Sequence, residues 1–401
     1  MSDAELFIDR INGRLNAAVV SKGRLVDLYV DGTNTVVSWA SIYLGKVIKI
    51  DKNLDAAIVD IGGGQTGFLP AKHVHFPGAD ASETRTGIAN LLKPGQMILT
   101  QVKSEARAGS EHEQHKIPRL TTKIYMIGQY SVYCPLASQV TMSRHIQHEN
   151  IIALTAKLKG KGGWIIQQNA DHADEKAILA ETDILQKIWL DVQNAMDKDS
   201  QTPRLIHTGP HAVARALTDW SVGAFAHIHV ANKEIFDLVA TWCEIHDPAL
   251  AKSKRLRLYK PEAQGQRLFD IHDIYAELEA LEEKKVFLAT GGSLIIEPTH
   301  ALIVIDVNQG SATNIVEANI AAAHEVARQI RLRNLSGAII VDFINMSQKS
   351  ERAKLLDALE RVLADDPAGA QSHGFTRIGI IEITRKRRSA MSYEKKRSAT
   401  P

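Results

Sequence analysis

Short alternating and apolar runs dominate the first hundred residues. LNAAVVSKGRLVDLYVDG, beginning at Leu15, has two β-rich runs on either side of Lys22-Gly23, the pattern of a hairpin. GKVIKI (45–50), AAIVDI (56–61) and TGFLP (66–70) follow in close order, with Gly62-Gly63-Gly64 at a tight bend. Pro94-Gly95 then marks a turn before the strand in KPGQMILTQVKS (93–104). Five or so short strands within about 80 residues, with no long helix, predict a small barrel of the OB type. Beyond a polar loop at 105–118 comes the strand YSVYC (130–134). An amphipathic helix is predicted over 173–198, with Leu179, Ile184, Ile188, Leu190 and Val192 on its buried side. Residues 203–220 read as strand, turn and helix start, 224–232 as a strand, and 270–284 as a helix.

The C-terminal third is the most regular. SLIIEP (293–298) and ALIVIDV (301–307) are apolar strand runs, and a long helix is predicted over 313–334, capped by Thr313 or Asn314. Gly337 precedes the strand AIIVDFI (338–344), a second helix covers 350–366, and TRIGIIEIT (376–384) reads as the final strand. The order strand–helix–strand across 301–344 makes a βαβ unit whose strands run parallel and adjacent. The whole pattern belongs to the α/β class, in an α+β multidomain arrangement.

Length and composition narrow the setting. A chain of 401 residues exceeds one compact core, and 44% apolar with 23% charged residues is ordinary for a globular protein. No run approaches the roughly 20 apolar residues of a membrane-spanning helix, and the N-terminus lacks the basic-then-apolar order of a signal peptide. The two cysteines, Cys134 and Cys243, form no CxxC pair, which disfavours a disulfide framework or cysteine-based zinc site and fits a reducing cytoplasm. Sixteen histidines include none at zinc-ligand spacing with cysteine or carboxylate. From Arg385 onward, seven basic residues face Glu394 alone, so this stretch carries +6 and the remainder −4 of the net +2. Such a tail suits a polyanion; it equally suits a solvated terminus.

The candidate chemistry lies in two aspartates. Asp306 and Asp342 each follow three apolar residues (IVI and IIV) near the ends of the two parallel strands, the edge where α/β sheets bind ligands. Neighbouring carboxylates repel unless a cation joins them. Mg²⁺ is commonly held by one or two carboxylates, with water and phosphate completing its shell. Asn308, two residues on and on the same strand face, can orient the ligands or a phosphate. Arg328, Arg331, Arg333 and Arg377, the last on the final strand, are candidates to hold flanking phosphates. An aspartate at a strand end is also a common turn or cap residue, so the pair alone leaves both readings open.

Several longer runs then resemble one family. IDVNQG (305–310), ARQIRLRNLSG (327–337), IIVDFINM (339–346) and IGIIEITRKR (378–387) are similar to the catalytic region of the ribonuclease E/G family. ATGGSLIIEPTHALIVIDV (289–307), KIPRLTT (116–122), MSRHI (142–146) and RLIHTGPHAVARALTDW (204–220) also resemble family segments, and the likeness runs from about Arg14 to Arg388. The resemblance implies an S1 (OB-type) RNA-binding barrel at 37–117 inserted into an RNase H-like subdomain of 1–36 and 216–280. It further implies a 5′-sensor-like subdomain at 118–215 and a DNase I-like catalytic subdomain at 281–401. By the same likeness Asp306 and Asp342 are magnesium ligands (Mn²⁺ can substitute), with Asn308 as hydrogen-bonding partner. Phe68, Lys116 and Arg144 face RNA, and Gly128 and Val132 line the sensor pocket. The expected activity is endonucleolytic cutting of single-stranded RNA, leaving 5′-phosphate and 3′-hydroxyl ends, in RNA processing or decay.

The sequence also departs from the family pattern. Ile58 replaces a second RNA-stacking aromatic, Gln167-Gln168 replaces an Arg-Thr pair that grips a terminal phosphate, and Asn345 stands where an aspartate is usual. The loop after Asn308 is shortened, and no cysteine follows Cys243, so no zinc and no zinc-linked oligomer are expected. These changes keep a second reading open, an RNA-binding protein of weakened catalysis. A third is a non-enzymatic S1 module.

Overall fold

The computed structural model describes residues 4–389 apart from 33–36, 76–86, 107–116, 144–145, 221–223, 252, 262 and 300. The chain divides into two compact units, each discontinuous in sequence. One comprises Met1–Asp31, Phe225–Phe236 and Arg255–Pro401; the other comprises Gly32–Ala224 and Asp237–Lys254.

The first unit holds two sheets. In the N-terminal sheet the strands Ala4–Ile11, Arg14–Ser21 and Arg24–Val30 form a meander, and Phe225–Val230 and Leu256–Leu258 add in parallel beside Ala4–Ile11. The expected Lys22-Gly23 turn is present, both residues having positive φ (53° and 71°), as a tight two-residue hairpin requires. The expected helix over 270–284 is shorter. A 3-10 turn at Leu268–Asp273 breaks at His272 and Asp273 (φ 54° and 51°), and only Ile274–Ala280 is α-helical. The kink sets the His272 ring edge-on to Phe7, 5.6 Å between centroids, and 3.7 Å from Glu5, tertiary contacts that override local helix preference.

The second sheet has six strands in the order Lys285–Phe287, Ser293–Pro298, Ile303–Asn308, Gly337–Asp342, Ile381–Arg385, Gln371–Phe375. Its inward-facing Ile303, Ile305, Val307, Ile339, Val341 and Ile383 pack with Ala322, Val326 and Ile330 of the helix Ile315–Leu332 and with Leu355 and Leu359 of the helix Lys349–Ala364. The expected single strand at 376–384 is instead the second half of a hairpin. Gln371–Phe375 pairs antiparallel with Ile381–Arg385, and Thr376 through Gly379 make the turn, with Thr376 N–H bonded to Ile380 O at 2.8 Å. Gly374 and Gly379, both at positive φ, mark this break.

In the second unit, Ile42–Asp51, Ala56–Gly62, Gln65–Pro70, Arg119–Thr121 and Met97–Ser104 form a five-stranded barrel, closed where Met97–Ser104 pairs back onto Ile42–Asp51. Val47, Ala57, Val59, Ile61, Leu69, Val102 and Leu120 fill it. The strand Arg119–Thr121 lies just past residue 117, so the barrel reaches beyond the expected boundary. A four-stranded sheet (Val140–Met142, Gly163–Ile166, Ser131–Cys134, Met126–Ile127) packs with the helices Glu149–Leu158 and Glu175–Lys198. The long helix buries Ile178, Glu181, Thr182, Leu185 and Val192. Of the expected stripe, Val192 is buried, Leu179, Ile184 and Ile188 are half-buried, and Leu190 is 54% exposed. A buried glutamate at the centre of the stripe is what apolar periodicity misreads. Among the described residues, no helix is long and apolar enough to cross a membrane.

Candidate active site

Ile303–Asn308 and Gly337–Asp342 are parallel neighbours, and their register places Asp306 directly opposite Asp342. Because alternate residues of a strand point to opposite faces, burial of Ile303, Ile305, Val307, Ile339 and Val341 under the helices turns Asp306, Asn308 and Asp342 to the other face. All three are exposed there. Asn308 Nδ2 donates to Asp306 Oδ2 at 2.8 Å. This bond fixes the Asp306 carboxylate and occupies one of its oxygens.

Three features hold the ends of these strands, and of these only the helix cap, at Thr313 or Asn314, stood out in the sequence. The loop after Asn308 approaches the Gly291-Gly292 turn so closely that a Cβ on Gly310 (φ +57°) would lie 2.1 Å from Gly291 O. Asn314 caps the crossover helix, its Oδ1 accepting from Val316 N and Glu317 N. Asn319, fully buried on that helix, donates from Nδ2 to Ile344 O (2.8 Å) and accepts from Ile344 N (3.1 Å). It thereby clamps the segment that leaves Asp342. The quoted runs ATGG and IIVDFINM contained the signal, but pairing Asn319 with Ile344 needs the packed helix.

The arginines are placed otherwise than expected. Arg328 donates to Leu25 O and to Glu277 and Glu325, Arg331 pairs with Asp27, and buried Arg333 donates to Gln329 Oε1 at 2.6 Å. Burial pushes the Arg333 guanidinium down to about 10, with Glu325 opposing. These side chains serve the helix's docking and are not free for phosphate. Arg377 lies in the exposed turn after Phe375 and not on a strand. In the basic C-terminal stretch, Arg385 is buried against Asp366 (2.9 Å) and Asn334, while Arg387 and Arg388 bond Ser336 and Pro367 O. Lys386 is exposed, and Lys395, Lys396 and Arg397 lie outside the described residues.

No cluster of three or more His, Cys, Asp or Glu with metal-holding geometry occurs among the described residues. The donor set at the strand ends is two hard carboxylates. It suits an ion that keeps much of its water, such as Mg²⁺ or Mn²⁺, and lacks the nitrogen or sulfur ligands of a zinc site.

On the barrel, cross-strand registers align Lys49, Ile58, Phe68 and Arg119 on four adjacent strands. Lys49 and Arg119 are exposed, and Ile58 and Phe68 are half-buried, so the row is an outward face with a central apolar step. His73 Nε2 accepts from Lys103 Nζ at 2.9 Å beside this row. Burial, then Lys103, Lys72 and Arg119, push His73 down to about 4, leaving it neutral and the lysine its donor. Arg119 was missed because a three-residue strand carries no periodicity, whereas Lys103 sits on the expected strand Met97–Ser104 but was not singled out. Lys116 and Arg144 lie outside the described residues.

Gly128 and Val132 flank the turn between Met126–Ile127 and Ser131–Cys134. Gln167 comes to the same turn, its Nε2 donating to Gly128 O at 2.6 Å. From the other side Glu181 accepts from Gln129, Tyr130 and Ser131 N–H groups and from Ser131 Oγ. Burial raises the Glu181 carboxyl, and these four donors oppose the rise. A Cβ on Gly128 would sit 2.5 Å from this carboxylate, so glycine is required there.

Residues 126–388, which include the exposed carboxylate pair, match the model of the Ribonuclease E/G family, and the chain belongs to that family. Ribonuclease G of Salmonella typhimurium is 29% identical over 96% of this chain and 80% of its own length. Ribonuclease E of Synechocystis is 33% identical over 94% of this chain and 56% of its own length. Ribonuclease E of Escherichia coli is 29% identical over 94% of this chain but only 36% of its own length.

Proposed function

We propose that this chain is a Mg²⁺-dependent endoribonuclease that cuts single-stranded RNA in cytoplasmic RNA processing or decay, leaving 5′-phosphate and 3′-hydroxyl ends. One observation carries the reading: Asp306 and Asp342 are register partners on parallel strands, both exposed, with Asn308 bonded to the first. Their shared edge lets the two carboxylates act as one ligand pair. A bound Mg²⁺ would supply charge neutralisation at the phosphodiester and a more acidic water. Asn308 keeps the Asp306 carboxylate from rotating, and Asn319 holds the backbone after Asp342, so the pair needs little reorganisation when substrate arrives. The barrel row provides a stacking surface in Phe68 and phosphate partners in Lys49 and Arg119, with no donor pattern that would read base sequence. Lys116, Arg144 and Arg377 remain proposed RNA contacts.

The turn at 128–131 supports a further element of the reading. Its backbone amides at Gln129, Tyr130 and Ser131 are committed to Glu181, and Gln167 is bonded to carbonyls of the same turn, so it offers neither those amides nor a cation to a terminal phosphate. Cleavage therefore proceeds by direct entry, with little preference for the state of the 5′ end.

An internally A/U-rich oligoribonucleotide, carrying either a 5′-monophosphate or a 5′-hydroxyl, tests both parts. With Mg²⁺ the two substrates are expected to be cut at rates within about threefold, a gap of under 1 kcal/mol, and EDTA to stop both. Products should ligate through a 5′-phosphate. Cutting that persists in EDTA, or products with 2′,3′-cyclic ends, would reject the metal-assisted hydrolysis.

A further inference from the structure

The sheet that carries Asp306 and Asp342 presents two further side chains on the same face. Its edge strand Lys285–Phe287 pairs antiparallel with Ser293–Pro298, which pairs in turn with Ile303–Asn308. Register runs across all three: Lys285 lies opposite Ile295, and Ile295 opposite Asp306. Phe287 lies opposite Ser293, and Ser293 opposite Asn308. Residues directly opposite one another share a face, so Lys285 and Phe287 stand on the side of the carboxylates. Val286 and Leu288 both pack into the core beneath the helices, so the Phe287 ring between them points the other way. Neighbouring strands lie about 4.8 Å apart, which sets Phe287 about 10 Å from Asn308 and Lys285 about 10 Å from Asp306. That is within reach of a nucleotide adjoining the one held at the carboxylates.

Phe287 is 74% exposed. A lone exposed apolar side chain is ordinary, but this one is fixed beside the carboxylates. Leu288 N donates to Gly292 O at 2.9 Å and Gly291 N to Leu288 O at 3.0 Å, closing the turn that follows it. A Cβ added to Gly292 would lie 2.5 Å from Asn308 O, so this turn is seated tightly against the end of the Asp306 strand. Lys285 Nζ lies 4.9 Å from the Phe287 ring centroid, within cation–π range. The adjacent Lys284 is engaged by Glu297 at 2.8 Å, whereas Lys285 brings an exposed ammonium to the row of Asp306 and Asp342. Between the two pairs lie Ser293, small and buried, and half-buried Ile295, which make a low floor. An open aromatic face, a cation and a low floor running to two carboxylates together suit a segment of single-stranded nucleic acid.

We propose that Phe287 and Lys285 form a nucleotide subsite beside the carboxylate pair: the ring stacks the base of a nucleotide flanking the scissile phosphate, and the Lys285 ammonium pairs with a backbone phosphate of that segment. The proposal rests on the endoribonuclease reading above. Stacking accepts any base, so the subsite adds affinity without a sequence requirement. A single-stranded oligoribonucleotide with one cut site, and copies of it carrying an abasic ribose at one position at a time, test it with the full chain. Equilibrium titrations in EDTA give the cost of each missing base, and single-turnover cleavage of the intact oligomer in Mg²⁺ locates the positions relative to the cut. At one position flanking the cut, the missing base is expected to weaken wild-type binding about tenfold, the loss of one stacked base. Phe287→Ala should weaken binding of the intact oligomer by the same factor and abolish the cost of that missing base, while Phe287→Trp should keep it. Lys285→Gln should make the dependence of log affinity on log salt shallower by roughly 0.7, the loss of one phosphate contact to a single strand. Thermal melts verify that the three variants remain folded. A wild-type chain that does not cut, yet shows a missing-base cost that Phe287→Ala removes, would reject the nuclease reading and still assign base stacking to Phe287. A missing-base cost that is absent, unchanged in Phe287→Ala, or lost only at positions remote from the cut overturns the proposal.

Discussion

At the residue scale, two asparagines and one ionisable group do most to define what the sites can do. Asn308 and Asn319 lie on opposite sides of the same sheet, one bonded to Asp306 and the other to the backbone beyond Asp342. Asn319→Ala leaves both the N–H and the C=O of Ile344 unpaired in a partly buried position. A loss of about 2 kcal/mol or more follows, read as a lowered denaturation midpoint, with a fall in cleavage rate and little change in RNA affinity. His73 bears on the barrel face. Held near 4 by burial and by Lys103, Lys72 and Arg119, it is neutral at pH 7. The unfolded chain takes up this proton first, so the contribution of His73 to stability declines as pH falls from about 6.5 towards 4. A phosphate beside it favours the imidazolium, and its NMR titration midpoint is expected to rise when RNA binds. An unmoved midpoint in saturating RNA would place the RNA elsewhere.

At the scale of elements, the strands were legible and the irregular pieces were not. IVID and IIVD announce two equivalent parallel strands because burial on alternate positions forces the same spacing in both, and the observed register follows it residue for residue. The barrel strands were legible for the same reason, except for Arg119–Thr121, too short to show a period. The final hairpin was read as one strand because IGIIEIT is apolar across the Thr376–Gly379 turn, and only the positive φ of Gly374 and Gly379 betrays it. In the helix Glu175–Lys198 the stripe was displaced because its central member is a charged residue, satisfied by four donors that sequence cannot display. The barrel row yields a prediction of its own. Phe68→Ala should cost RNA binding about 1–3 kcal/mol, the loss of one stacked base. Ile58→Tyr, its cross-strand neighbour, should recover part of that affinity in an equilibrium titration of a short oligoribonucleotide. An unaltered dissociation constant in Phe68→Ala would remove this face from the account.

For the molecule as a whole, chain order hid what the fold assembles. Ala4–Ile11 pairs with Phe225–Val230, and Asp237–Lys254 is grouped with the barrel-containing unit, so each compact unit is drawn from separated stretches. Local pattern carries no information about such pairings. The charge balance misled in a related way. Arg328, Arg331, Arg333 and Arg385 counted towards a phosphate-binding surface, but each is spent on internal carboxylates, amides or carbonyls. Positive charge remains exposed on the barrel row, at Lys49 and Arg119. Catalysis and RNA holding are thus assigned to different residues and should fail independently when mutated.

Single-turnover cleavage by Asp306→Asn and Asp342→Asn, measured beside their RNA affinities, tests the central claim most directly. Either substitution should lower the Mg²⁺-dependent rate at least about a hundredfold. The double variant should be little worse than either alone, since the carboxylates act as a unit, and binding in EDTA should be unchanged. Cleavage by either variant at close to the wild-type rate would contradict the assignment of the strand-end pair as the catalytic centre.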